Sequence, residues 1–274
     1  MTTIPTQPMV TILIPHYKTL ELTTLCLRLL RRHTDFNKAK IIVVDNDSQD
    51  ASLNYLRKLS WIELVERKAI LGESPTQSHA RALDMALARV TTPYVLSIHT
   101  DTLVKRPDWL EFLITQIEKD PHIAGVGSWK LELKPSWRQL LKLVEHSIQR
   151  IYYSVIGKEK HGLQGIGENY YYLRSHCAMY RTRLLKKLNL YFADGDMVAG
   201  KIIHKRLRDA GYKMIFFPSS MLIRYIEHIN HATTVLNPQL STRQKSIDKG
   251  TRRIEKSLER LNAKAILQDA SLDL

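Results

Sequence analysis

The sequence predicts an α/β fold, a mostly parallel sheet flanked by helices, with a C-terminal helical extension. Three observations lead there. Apolar, β-branched runs of about five residues alternate with amphipathic stretches of about twelve, the pattern of repeated βαβ units. Strand-like runs in the first half open into polar loops, "HYKT", "DNDSQD" and "HTDT", and parallel sheets bind ligands beyond such strand ends. Finally, 274 residues with 44% hydrophobic composition suffice for one large domain, or one domain with an appendage.

The elements follow in order. "VTILIP" (Val10–Pro15) is a buried strand ended by proline, and Leu22 to Arg32 has helical spacing. Ile41–Val44 is the second buried strand, opening into an acidic turn. "SLNYLRKL" reads as a helix and "IELVER" as a third strand. Ser78–Val90 is a helix with Ala80, Leu83, Ala86 and Leu87 on one face. "YVLSI" is a fourth strand, Asp108–Lys119 a helix, and "IAGVGS" the next strand.

The second half is less regular. Trp137, Leu140, Leu141, Val144, Ile148, Ile151, Tyr152 and Val155 fall at helical spacing, and the glycine-rich aromatic loop "GLQGIGENYYY" follows. "SHCAMYRTRLLKKL" is strand then helix, and "DGDMVAGKIIHKRLRDAGY" is a helix with an acidic start and a stop at Gly211. "KMIFFP" is a late strand ended by Pro218, and the tail from Ser241 is a basic surface helix. The division expected is one large domain over residues 1–235, in two halves near 8–130 and 131–235, then an extension over 236–274.

The net charge of +14 favours polyanionic partners: nucleic acid, anionic lipid or phosphorylated small molecules. Cys26 and Cys177 belong to no CxxC or Cys/His cluster, so no zinc module is expected, and the pattern suits a reducing cytosol. There is no 18-residue apolar run and no signal-peptide pattern in "MTTIPTQPMV", so the expected location is cytoplasmic, with any membrane association peripheral, at its inner face.

Four segments in register, "VTILIPHYKT", "IIVVDNDSQD", "ARVTTPYVLSIHTDT" and "DAGYKMIFFP", make residues Val10 to Pro218 resemble a family 2 glycosyltransferase with the GT-A fold. The resemblance implies an inverting transfer of a hexosyl or deoxyhexosyl unit from a nucleotide-diphosphate sugar. The receiving group is a hydroxyl of a glycan or lipid-linked acceptor, in surface polysaccharide or glycoconjugate synthesis.

It also implies roles for particular residues. Asp45 matches the nucleotide-binding acid, with Asn46 and Asp47 beside it, although "DNDS" alone also reads as an Asx-rich turn capping the next helix. Pro15, His16 and Tyr17 lie on the loop that packs around the nucleotide, and His79, placed before a helix, matches a segment meeting nucleotide and sugar. Arg81 either meets a phosphate or is surface. In the family two aspartates flank one residue. Here Asp101 holds the second, metal-binding place and His99 the first, with Thr100 between, so His99 serves either the metal or the nucleotide. The cofactor implied is Mn²⁺ or Mg²⁺, imidazole suiting the former better. A late histidine, His228 or His231, is a further candidate ligand.

The acceptor hydroxyl needs a base. Asp194 and Asp196 are the candidates, although they stand further from Ala210-Gly211-Tyr212 than the family's Glu-Asp pattern does, and acids at a helix start also act as caps. Glu168, Tyr172, Arg174 and His176 are expected on the acceptor side, with residues Gly157–Tyr171 a lid. Arg138, Lys142, Arg150, Arg243, Lys245, Arg252, Arg253 and Lys256 form basic patches suited to anionic membrane.

Two other classes compete. A nucleotidyltransferase would use a similar sheet, but no early glycine-rich phosphate loop with Arg or Lys is present. A degenerate, non-catalytic nucleotide-sugar binder is consistent with His99 in an acidic place. Nucleic acid is not expected as a partner, because no recognition motif accompanies the charge.

Overall fold

A computed structural model describes residues 7–131, 169–229 and 254–274. Four parallel strands open the chain: β1 (Val10–His16), β2 (Ala39–Asn46), β3 (Glu63–Arg67) and β4 (Tyr94–Ile98). They are joined by α1 (Leu20–His33), α2 (Ala51–Leu56) and α3 (Pro75–Leu87). Next come β5 (Thr102–Val104), α4 (Trp109–Glu118) and β6 (Ile123–Gly127). After residues 132–168 the description resumes with β7 (Cys177–Arg181), α5 (Thr182–Lys187), a 3₁₀ turn (Asp194–Asp196), α6 (Lys201–Asp209) and β8 (Lys213–Phe216). There follow α7 (Ser219–Leu222), β9 (Ile226–His228), helical residues 254–260, α8 (Ala263–Gln268) and a 3₁₀ turn (Ala270–Asp273).

The seven-stranded sheet has the order β3-β2-β1-β4-β7-β6-β8. β7 is antiparallel to both its neighbours, β4 and β6, while β6 and β8 are parallel. The sheet is therefore mostly parallel, as expected, with one inverted strand that sequence periodicity does not reveal. The chain winds outward in both directions from β1 and β4, which makes their carboxyl ends the natural binding crevice.

Alternation along the strands builds a core on each face. Ile12, Ile14, Ile41, Val43, Leu96 and Ile98 meet α1 and α4 through residues such as Leu25, Trp109 and Leu113. Leu13, Ile42, Val44 and Val95 meet α3 and α6 through Leu83, Ala86 and Ile203. Both faces are covered, which is why these strands read as unbroken apolar runs.

Three expectations change in detail. α3 begins at Pro75, because Ser74 caps it and exchanges hydrogen bonds with Gln77 in a capping box; His79 thus lies within the helix and not before it. The helix expected across "DGDMVAGKII" starts only at Lys201, because Gly195 (φ 70°) and Gly200 (φ 81°) take left-handed conformations. The end of the tail is no free surface helix. Ala263 and Ile266 join the α1 side of the core, and Arg28 donates to the Ile266 carbonyl (3.2 Å) and the Asp273 carboxylate (2.8 Å). The expected helix Trp137–Val155 and the tail over residues 241–253 lie outside the described residues, as do residues 157–168 of the expected lid.

Close approach of β6 to β7 fixes where β7 starts. A Cβ on Gly127 would stand 2.2 Å from the Cys177 carbonyl oxygen, a backbone atom that cannot rotate away. Gly127→Ala is expected to destabilise the protein by about 1–3 kcal/mol, read as a lower urea midpoint with unchanged m-value. An unchanged midpoint would mean that the strands separate without cost.

Candidate active site

The crevice is built from strand ends. β4 stops at Ile98, and His99-Thr100-Asp101 turn the chain into β5. β5 pairs antiparallel with β9, opposing Thr102 to His228, and the Ile229 N–H donates to the Asp101 carbonyl at 2.9 Å. This small sheet carries a late histidine back to the strand end. His228 Nε2 lies 3.2 Å and His99 Nδ1 3.7 Å from Asp101 Oδ1. One ligand atom from each of His99, Asp101 and His228 falls within 4.8 Å of the others.

This group fits a divalent ion. Its donor set is two imidazoles and a carboxylate, and His228 Nδ1 is buried with no hydrogen-bond partner among the described residues, which is uncommon for a polar atom inside a protein. Burial holds the His99 ring well below its ordinary pKa, with the neighbouring His79 acting in the same direction, so the imidazole is neutral as ligation requires. His99 and Asp101, expected as ligands, are thus joined by His228; His231 lies outside the described residues. Thr100 is buried in the same turn.

The inverted strand supplies the opposite wall. Because β7 runs antiparallel, its first residue, Cys177, pairs with Ile98, the last of β4. Arg174, Ser175 and His176 therefore arrive beside His99. Ser175 Oγ lies 2.9 Å from His99 Nε2 and 3.1 Å from His79 Nε2, joining the strand end to α3. Burial pushes the His79 ring down to about 4, so it too is neutral. His176 is 2% exposed, bonds Ser128 Oγ through Nε2 at 2.8 Å, and stacks on His228 at 4.4 Å. That enclosure makes it a brace behind the His99–Asp101–His228 group; it offers the cleft no open surface. Tyr172, Arg174, Ser175, His79 and His99 line a cleft of about 220 Å³, closed by the first turn of α3 and by Val198 and Ala199. Glu168 lies outside the described residues.

On the other side of β4 are the loops after β1 and β2. Pro15 and His16 are buried and Tyr17 is half-buried. His16 is fully enclosed, with Nε2 2.8 Å from Ser52 Oγ and Nδ1 3.0 Å from Thr23 Oγ1, so it fixes the loop that presents Tyr17. Asp45 is also inside; Oδ2 accepts from the Ser48 N–H (3.0 Å), while Oδ1 has no hydrogen-bond partner among the described residues and faces His16 Nε2 at 3.6 Å. Asn46 accepts from Arg67 at 3.2 Å. Asp47, in a left-handed conformation (φ 62°), accepts from Lys68 and the Ala69 N–H. Arg81 pairs with Glu73 at 2.9 Å, and Glu73 also binds Arg67, which accounts for Arg81 without a phosphate.

Asp194 and Asp196 flank the cleft without lining it. Asp84, on α3, anchors their turn by accepting from the Phe192 and Ala193 N–H groups (2.6 and 3.0 Å); burial pushes its carboxyl up to about 6. Asp194 accepts from the Tyr191 N–H (3.1 Å) and lies 3.9 Å from Arg206. Asp196 is exposed and accepts from Gln77, in the first turn of α3, at 3.3 Å. Ser175, Ser128 and Asp84 had no signal in the sequence, since each matters through a distant partner; Gln77 had a local cue in the capping pattern Ser74-x-x-Gln77.

Comparison with known proteins bears on this arrangement. The chain is 19% identical to a mannosyltransferase of Pyrobaculum calidifontis solved with GDP-mannose and Mn²⁺, with a TM-score of 0.54 covering 96% of this chain and 71% of that one. TarS (residues 1–349) of S. aureus is 16% identical, with a TM-score of 0.52 over 89% of this chain and 70% of that one. These likenesses show the GT-A fold. A Haemophilus influenzae protein described as an uncharacterized glycosyltransferase is 27% identical over 94 residues, which spans 34% of this chain and only 28% of that relative. The family model for glycosyl transferase family 2 matches residues 11–189, well over half the chain, and the chain therefore belongs to that family.

Proposed function

We propose that the protein is an inverting glycosyltransferase that moves a hexosyl or deoxyhexosyl unit from a nucleotide-diphosphate sugar to a hydroxyl of a glycan or lipid-linked acceptor, in surface polysaccharide or glycoconjugate synthesis. The catalytic unit is residues 1–235, with 236–274 as an extension. The observation that carries this reading is the convergence of His99, Asp101 and His228 at the end of β4, between the β1 and β2 loops and an open cleft.

In this reading Tyr17 and Asp47 meet the nucleoside, on a loop frame set by Pro15, His16, Asp45 and Asn46. His99, Asp101 and His228 hold the divalent ion, and two imidazole ligands favour Mn²⁺ over Mg²⁺. The ion supplies charge neutralisation at the donor's diphosphate and for the departing nucleotide. His79 and Ser175 orient His99 and border the sugar, while Tyr172 and Arg174 face the acceptor. Asp196 is the base that takes the acceptor hydroxyl's proton. It is exposed beside the first turn of α3, which borders the cleft, whereas Asp194 is engaged with the Tyr191 N–H and Arg206. A lipid-linked acceptor would be met at the inner face of the membrane. No helix among the described residues is long and apolar enough to cross a membrane. Of the basic residues suited to lipid, only Lys256 lies among the described ones.

That no carboxylate among the described residues lines the cleft favours one other reading, a nucleotide-sugar binder that does not catalyse transfer. Two measurements separate the possibilities. Thermal melts with UDP, dTDP, GDP and CMP should show one nucleotide raising the Tm only when Mn²⁺ is present, because a ligand of the folded state stabilises it by mass action. Asp101→Asn should abolish that shift; a shift independent of metal, or none with any nucleotide, contradicts the proposal. With donor and acceptor in hand, Asp196→Asn should lower kcat by about 100-fold or more with nucleotide affinity unchanged. Full activity in this variant would place the base elsewhere, and no turnover in the wild type despite nucleotide binding would favour the non-catalytic binder.

A further inference from the structure

Arg174 differs from the other arginines near the cleft. Arg67 and Arg81 share Glu73, and Arg206 lies 3.9 Å from Asp194. No ion pair joins Arg174 to a carboxylate among the described residues; its guanidinium lies near the Trp129 ring. It is half-buried in the cleft wall, and no Asp or Glu among the described residues lines that cleft. Among the described residues that line the cleft, Arg174 is the only Lys, Arg, Asp or Glu.

The guanidinium lies 5.7 Å from the centroid of the Trp129 ring. Tyr171 and Tyr172 pack edge-on to that ring at 5.5 and 4.8 Å, and Tyr171 remains 43% exposed. Lys130 Nζ is 5.7 Å from the same centroid. A planar cation is thus held by an aromatic cluster that still shows an open face, a pairing suited to an anion attached to a ring or polyol.

Sheet order says which substrate this serves. Along β2-β1-β4-β7-β6, the nucleotide loops follow β2 and β1, and the metal cluster follows β4. Arg174 precedes β7 and Trp129 follows β6, so both stand across the metal cluster from the nucleotide loops. We propose that the acceptor is anionic: a sugar or polyol carrying a phosphate or carboxylate that pairs with Arg174, its carbon skeleton resting on the Trp129–Tyr171 cluster. The acceptor role rests on the transferase reading; the preference for an anion does not.

Isothermal titration with glucose 6-phosphate, glucuronate and glucose tests this, on the protein alone and on the protein with Mn²⁺ and its stabilising nucleotide. The wild type should bind one or both anionic probes at least about 10-fold more tightly than glucose, as expected of a charge-assisted hydrogen bond. The two anions distinguish a phosphate from a carboxylate. Arg174→Gln should remove the preference and leave nucleotide affinity within about 3-fold, and Arg174→Lys, which keeps the charge but loses the planar fork, should retain part of it. Equal binding of glucose and both anions would overturn the proposal. So would a loss of nucleotide affinity in Arg174→Gln matching the loss of anion affinity, which would assign the arginine to the donor's diphosphate. Failure of the wild type to bind any nucleotide would count against the transferase reading, while the anion preference would still be read from the protein alone.

Discussion

The site depends on one pairing, the antiparallel insertion of β7 between β4 and β6. In a purely parallel sheet the residues before a strand lie at the opposite edge from the residues after its neighbour. Inverting β7 brings residues 174–176 to the same edge as residues 99–101. From that follow the contact of Ser175 with His99 and His79, the brace of His176 behind His228, and the place of Arg174 in the cleft wall. Gly127 permits the pairing by letting the Cys177 carbonyl approach where no side chain would fit.

Around that edge, burial and charge work together. Four histidines, at 79, 99, 176 and 228, gather about one carboxylate, and burial keeps at least three of them from protonating. A cluster of charged imidazoles would repel a cation; neutral ones offer lone pairs to it. The hydroxyls of Ser175 and Ser128 then fix ring orientation by hydrogen bonding, which is how surrounding residues usually tune a metal site. His99, standing where related chains carry an acid, is accommodated because its outward nitrogen is satisfied by Ser175 and its inward one faces Asp101.

Much of the fold was legible because buried parallel strands are continuous apolar runs and their helices have a clear 3.6-residue period. The β2 exit announced itself by clustered acids, and the β4 exit by a histidine and an aspartate on a polar turn. What escaped has a physical reason in each case. The strand direction of β7 is set by long-range packing and leaves no local trace. β5 and β9, at three residues each, are too short for a period to show, although their pairing alone delivers His228 to Asp101. His16 and His176 read as accessible polar residues in loops, but burial depends on neighbours distant in sequence. The acids at 194 and 196 suggested a helix start, and two left-handed glycines displaced it to Lys201.

The central claim is that His99, Asp101 and His228 together hold a divalent ion at the end of β4. Pulsed electron paramagnetic resonance of Mn²⁺ bound in the presence of a nucleoside diphosphate tests it directly. The account predicts nitrogen-14 modulation from two imidazoles, reduced to one in His228→Ala, together with phosphorus coupling from the nucleotide. Phosphorus coupling with no nitrogen modulation would show that the ion sits away from the histidines, and the site described here would not be the metal site.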